Sequence, residues 1–162
     1  MINQTDRQFL ERAVALAEQA LGKGDEPFGS VLVSAGGEVL FEDHNHVASG
    51  DHTQHPEFAI ARWAAQNMSP EERAESVVYT SGEHCPMCAA AHAWVGLGRI
   101  VYASSSEQLA GWLRDMGVPA GPVSTLPINV VAPGVPVAGP VPELAERVRQ
   151  LHLTLHGKPA GS

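Results

Sequence analysis

The sequence predicts an α/β fold, a mixed sheet covered by helices on both faces. Two observations predict it. Apolar positions switch repeatedly between helical and strand spacing, in the order helix, hairpin, helix, strand, helix, strand, helix, short strand, helix. Alternation of that kind suits a sheet layered between helices. The chain also has 162 residues of ordinary apolar and charged content, enough for one domain with its own core. No internal repeat and no second domain is visible, so residues 1–162 read as a single domain.

Thr5-Asp6-Arg7-Gln8 reads as a capping box, with a hydroxyl at the cap and a glutamine three residues on. Phe9, Ala13, Leu16 and Ala20 follow at helical spacing, and Gly22 and Gly24 end that helix. Val31-Leu32-Val33 and Val39-Leu40-Phe41 flank Gly36-Gly37, which marks a hairpin. A helix runs from Pro56 to about Asn67, with Ala59, Ile60, Trp63 and Ala64 facing inward, and Ser69-Pro70 starts a short turn. Ser76 to Thr80 is a strand. Pro86 opens a helix that Gly96 and Gly98 close, and Arg99 to Ala103 is the next strand. Ser105 or Ser106 caps a helix toward Met116.

Seven of the twelve prolines lie between Gly117 and Pro142, so the segment 118–142 is not helical. Its one strand is expected at Ile128-Asn129-Val130-Val131, at a sheet edge. The helix between the fourth and fifth strands makes these two parallel. A C-terminal helix spans 142–156 with the apolar stripe Leu144, Val148, Leu151, Leu155. His152 and His156 read as surface or interface residues beside that stripe.

The formal net charge is −8 with no run of Lys or Arg, which argues against a protein built to grip a nucleic-acid backbone. There is no transmembrane-length apolar stretch and no signal peptide, so no membrane partner is expected. The two cysteines stand three apart. In a chain without a secretory signal that spacing reads as metal-binding or redox rather than a structural disulfide, and the location as cytoplasmic.

His55-Pro56-Glu57 and Cys85-Pro86-Met87-Cys88 carry the chemistry. One imidazole and two thiols make three ligands for a catalytic Zn2+, whose fourth position is kept for water. Both half-sites fall at helix N-termini, where the dipole favours thiolates. Glu57 is left free to move protons. Two other readings stand beside this one. A redox C-x-x-C needs a preceding strand, which Val77 to Thr80 supplies, but it leaves His55-Pro56-Glu57 without a role. A structural zinc site needs a fourth ligand such as His84 or His92. His44, His46, His52 and His55 fall within twelve residues, which raises a second metal, although a solvated loop is the plainer reading.

The H-x-E plus C-x-x-C pattern resembles the zinc-dependent cytidine deaminase-like family, in the branch of guanine deaminases, cytosine deaminases and tRNA adenosine deaminases. Thr80-Ser81-Gly82-Glu83-His84-Cys85-Pro86-Met87-Cys88 is similar to its T-S-x-E-P-C-x-M-C. Pro27-Phe28-Gly29-Ser30-Val31 is similar to its P-F-G-A-V. The resemblance spans Thr5 to Ala103. It implies a three-layer α/β/α sandwich with a five-stranded sheet. It also implies hydrolytic deamination of a nucleobase or nucleoside, such as guanine, cytosine or cytidine. Glu57 would be the proton shuttle. Asn45, the segment Phe28, Gly29 and Ser30, and the backbone N–H of Cys85 would touch the base. The alternatives are a tRNA adenosine deaminase-type editor and a non-catalytic zinc-binding module.

Two departures stand out. Pro56 sits between His and Glu where the family has Ala, and His84 precedes the first Cys where the family has Pro. His84 is placed near the substrate or the thiolates. After Gly111-Trp112, Asp115 stands one step later than the acid that guanine deaminases carry. The resemblance further implies a homodimer. The Pro-rich segment and terminal helix are expected to complete the site, in one arrangement by exchange between subunits.

Overall fold

The computed structural model describes residues 1–157. Helix α1 spans Gln4–Gly22, followed by strands β1 (Gly29–Val33) and β2 (Val39–His44). Helices α2 (Pro56–Asn67) and α3 (Pro70–Glu75) lead to β3 (Val77–Gly82). Then come α4 (Pro86–Trp94), β4 (Arg99–Ser104), α5 (Ser106–Asp115), α6 (Ile128–Val131), β5 (Val137–Ala138) and α7 (Pro142–His156). The five strands form one mixed sheet in the order β2-β1-β3-β4-β5. β1 is antiparallel to β2 and β3, while β3–β4 and β4–β5 are parallel.

Strand alternation divides the chemistry of the sheet. Val31, Val33, Tyr79, Val101 and Ala103 face one side and pack with Leu10 and Val14 of α1 and Leu144 and Val148 of α7. Leu32 and Val78 face the other side and pack with Ile60, Ala61 and Ala64 of α2. Ser30 and Thr80 belong to this second face by the same period of two, and this is where the functional groups gather. Gly29 permits the close approach of α1 to β1. A Cβ there would overlap the Ala13 carbonyl oxygen and the Leu16 Cβ.

Three sequence expectations change. Asn3, not Thr5, caps α1. Its extended backbone lets Oδ1 accept the Asp6 N–H at 2.9 Å, and Asp6 accepts the Asn3 N–H at 3.0 Å. Asp6 also accepts the Tyr79 hydroxyl at 2.7 Å and pairs with Arg99 at 3.3 Å, so a tertiary contact moves the cap two residues upstream. Burial works to raise the Asp6 pKa, but the donors from Asn3, Tyr79 and Arg99 outweigh it and hold the carboxyl below its usual range.

Ile128–Val131 is a single helical turn rather than the fifth strand. The extended Pro127 starts it, and the Ile128 N–H is taken by Glu83 Oε2 at 2.8 Å. The strand parallel to β4 is Val137–Ala138. His152 is buried at 2% exposure rather than lying at the surface. It continues the Leu144, Val148 series at a spacing of four, on the inner face of α7. Its ring is 5.2 Å from Phe28 and 6.2 Å from Trp112, and neither ring nitrogen has a hydrogen-bond partner among the described residues.

Candidate active site

Two prolines place the chemistry. Pro56 and Pro86 are each the first residue of their helix, and His55 and Cys85 are the extended caps before them. Proline is suited to that position, and it forces the preceding residue out of helical geometry. His55 and Cys85 therefore project from two helix N-termini on the same face of the sheet, with Glu57 and Cys88 one turn inside.

His55 Nδ1 lies 3.5 Å from Cys85 Sγ and 3.6 Å from Cys88 Sγ. A tetrahedral zinc with the usual Zn–S and Zn–N bond lengths separates such atoms by about 3.6 Å, so the donor set fits the ion. These three residues form one group among the described residues. His92 is not in it, because its Nε2 donates to the Gly98 carbonyl at 2.7 Å. The group thus offers three donors with no fourth beside them among the described residues, the donor count expected of a catalytic rather than a structural zinc site.

The thiols titrate as a pair. The hydrogen bond from Cys88 first, and His55 after it, draw Cys85 down to about 4. Cys88 is pushed up, by Cys85 and then by burial. The Cys85 sulfur is the main reason His55 is raised.

Glu57 is buried, and burial raises its pKa against the hydrogen bond from Thr80. Thr80 Oγ1 is 3.0 Å and Ser30 Oγ 3.2 Å from the same carboxylate oxygen, Oε1. A small cavity of about 130 Å³ opens beside this group, lined by Phe28, His55, Glu57, Cys85 and Leu109, with Val123, Ser124 and Thr125 reaching it from the Pro-rich segment.

The remaining sequence candidates are distributed as follows. Phe28 and Cys85 line the cavity. Asn45 is buried, and its Oδ1 accepts the Val47 N–H at 2.9 Å. Gly29 packs on α1 and Ser30 faces Glu57, so neither lines the cavity wall. His84, expected near the substrate or the thiolates, is 1% exposed and lies edge-on to His92 at 5.4 Å, with neither ring nitrogen hydrogen-bonded among the described residues. Burial, first, and then His92 hold it neutral. The strand-to-helix turn points residue 84 inward while its neighbour Cys85 points to the cavity. Asp115 is exposed at the end of α5, away from the cavity.

Sequence reading assigned no role to Glu83. Its two carboxylate oxygens accept the first N–H of α5 (Ser106, 2.9 Å) and of α6 (Ile128, 2.8 Å), tying both to the cavity rim.

Residues 3–104 match the cytidine and deoxycytidylate deaminase zinc-binding region. The chain belongs to this family. A probable cytosine deaminase of Schizosaccharomyces pombe is 32% identical over 116 residues, covering 72% of this chain and 70% of that protein. The solved structure of the Bacillus subtilis guanine deaminase has a TM-score of 0.57 at 28% identity, covering 82% of this chain and 91% of that one. A tRNA-specific adenosine deaminase of Haemophilus influenzae is 30% identical over 104 residues, covering 64% of this deaminase and 60% of that one. The fold is thus the cytidine deaminase-like sandwich, the cofactor of the family is zinc, and deaminases are hydrolases of C–N bonds. No helix among the described residues is long and apolar enough to cross a membrane.

Proposed function

We propose that this chain is a zinc-dependent hydrolytic deaminase of a free nucleobase or nucleoside, with His55, Cys85 and Cys88 as metal ligands and Glu57 as the proton carrier. The observation that carries the proposal is the His55–Cys85–Cys88 triangle lying beside the buried carboxyl of Glu57 at a small cavity. Zinc held there by His55, Cys85 and Cys88 would supply an activated water at neutral pH. Glu57 would take one proton of the attacking water and pass it to the ring nitrogen as the ring C=N double bond becomes single. It would then carry the proton of the newly added hydroxyl to the amine, so that the C=O bond forms as the C–N bond breaks and ammonia leaves. The raised pKa of Glu57 suits a group that must both take and give.

Phe28 offers an apolar wall to a ring, and the backbone N–H of Cys85 and the amide of Asn45 offer hydrogen bonds to its polar edge. Nucleosides and free bases share the reacting edge. The acidic balance of −8 supports a small-molecule substrate over a tRNA, which calls for basic surface. A thiol pair kept for zinc suits a reducing compartment such as the cytoplasm. We place a homodimer interface at the exposed Trp94. The decisive experiment is an ammonia-release screen of the purified zinc protein over bases, nucleosides and tRNA. Release from a base or nucleoside supports the proposal, and release from tRNA alone replaces it with the editing reading.

A further inference from the structure

A second donor cluster lies outside the cavity, where Asp25, His44 and His46 bring their ligand atoms within 4.8 Å of one another. Asp25 follows the left-handed turn at Gly24 that ends α1, and His44 is the last residue of β2. Asp25 and His44 are buried and His46 is exposed.

Hydrogen bonding sets both ring tautomers. The Lys23 ammonium lies 3.3 Å from His44 Nε2. An ammonium only donates, so Nε2 carries a lone pair and Nδ1 carries the proton, given to the Asn45 carbonyl at 2.8 Å. His46 Nε2 lies 2.9 Å from Asp43 Oδ1. A carboxylate accepts, so Nε2 carries a proton and in the neutral ring the lone pair of His46 is on Nδ1. Asp25 uses Oδ1 for the Ala48 N–H at 2.9 Å, and Oδ2 has no hydrogen bond among the described residues.

Each histidine thus turns one lone pair away from the carbonyl or carboxylate that its other nitrogen donates to, and on His44 that lone pair is held by the Lys23 ammonium alone. That pattern of outer partners accompanies metal-ligating histidines. The two rings are 4.4 Å apart. Two imidazoles and one carboxylate match borderline first-row divalent ions, whereas calcium and magnesium take oxygen ligands. The cluster already draws a cation in the form of the Lys23 ammonium, whose side chain is exposed and free to swing out.

We infer that Asp25, His44 and His46 form a second site for a divalent transition metal, distinct from the His55–Cys85–Cys88 centre, with Lys23 as the cation the metal displaces. Equilibrium dialysis of the folded full chain against zinc gives two equivalents. His46→Gln and Asp25→Asn each weaken the second by at least about tenfold and leave the first intact. Lys23→Met tightens the second, because a competing cation is gone. Cobalt titration separates the sites: the first equivalent brings a thiolate charge-transfer band and the second adds none. A wild-type chain that takes one equivalent only, or a second equivalent unchanged in both His46→Gln and Asp25→Asn, overturns the inference. Because the readout is metal stoichiometry, it stands or falls independently of the substrate.

Discussion

Ser30 Oγ lies 3.2 Å from Oε1 of Glu57. Thr80 Oγ1 approaches the same oxygen at 3.0 Å, and the two hydroxyls are 2.8 Å apart. β1 and β3 are paired at Ser30 and Thr80, so the hydroxyls point from one sheet face at one carboxylate oxygen. Oε1 is anchored, and Glu57 lines the cavity. A residue that carries a proton between two positions on a substrate needs this kind of fixed carboxyl.

Glu57→Gln keeps the shape and loses the proton-carrying group. Its expected effect is a fall in kcat of about two to four powers of ten, with zinc content unchanged. Ser30→Ala removes one anchor and is expected to lower kcat about three- to tenfold, the worth of one hydrogen bond, with KM kept. Steady-state ammonia release checks both. Near-wild-type turnover in Glu57→Gln sinks the assigned role.

The thiols test the ligand assignment. Cys85→Ala and Cys88→Ala leave two ligands each, too few for a tetrahedral site. Metal analysis after dialysis is expected to show loss of the zinc held at this centre in both variants. Full retention of that equivalent in both is the opposite result.

The two halves of the His55–Cys85–Cys88 group and the helix–strand order were legible because they are local. H-x-E and C-x-x-C fix their own spacing, Pro56 and Pro86 set where the helices start, and the period of two in β1 and β3 is plain in Val31 to Val33 and Val77 to Thr80. What could not be read depends on contacts distant in sequence. Asn3 caps α1 because Asp6 answers Tyr79 and Arg99. Ile128 turns helical because Glu83 reaches it. His152 departs from a surface reading, and His84 from a place beside the substrate, only through the elements that cover them. The meeting of Ser30 and Thr80 at Glu57 needs the β1–β3 register, which no single segment carries.

Buried neutral histidines make a pH prediction. Burial, outweighing the Gly98 hydrogen bond, holds His92 down at about 4, and burial, with the charge of His156, does the same for His152. Unfolded, each titrates at about 6.5. As pH falls below that value the unfolded chain gains protons that the folded chain does not, so stability drops progressively toward pH 4. The slope is about 1.4 kcal/mol per pH unit for each histidine. His152→Leu removes one of these protons. Because the ring nitrogens have no partner among the described residues, the variant is expected to match or exceed wild-type stability at pH 7, by up to roughly 1 kcal/mol. Urea unfolding at several pH values reads both effects. Equal pH slopes for variant and wild type contradict the assignment.

Assembly is the last prediction. Trp94 ends α4 with 88% of its surface exposed, beside an apolar groove formed by Ala90, Leu97, Val131 and Val135. Val130, on the neighbouring turn, is 62% exposed. A large aromatic on an apolar patch is the usual anchor of a protein interface, and a two-fold pairing sets the same patch against itself. The terminal helix is a poorer probe of assembly. Its Leu144, Ala145 and Val148 are buried, and Leu144 and Val148 pack with Leu10 and Val14 of the same chain, so cutting it at Val141 opens the core whether or not a dimer exists. Trp94→Glu changes the surface alone. Light scattering after size exclusion is expected to show a dimeric wild type and a monomeric Trp94→Glu with its zinc content and far-UV spectrum unchanged. A monomeric wild type removes the proposed dimer, and a Trp94→Glu that stays dimeric moves the interface elsewhere.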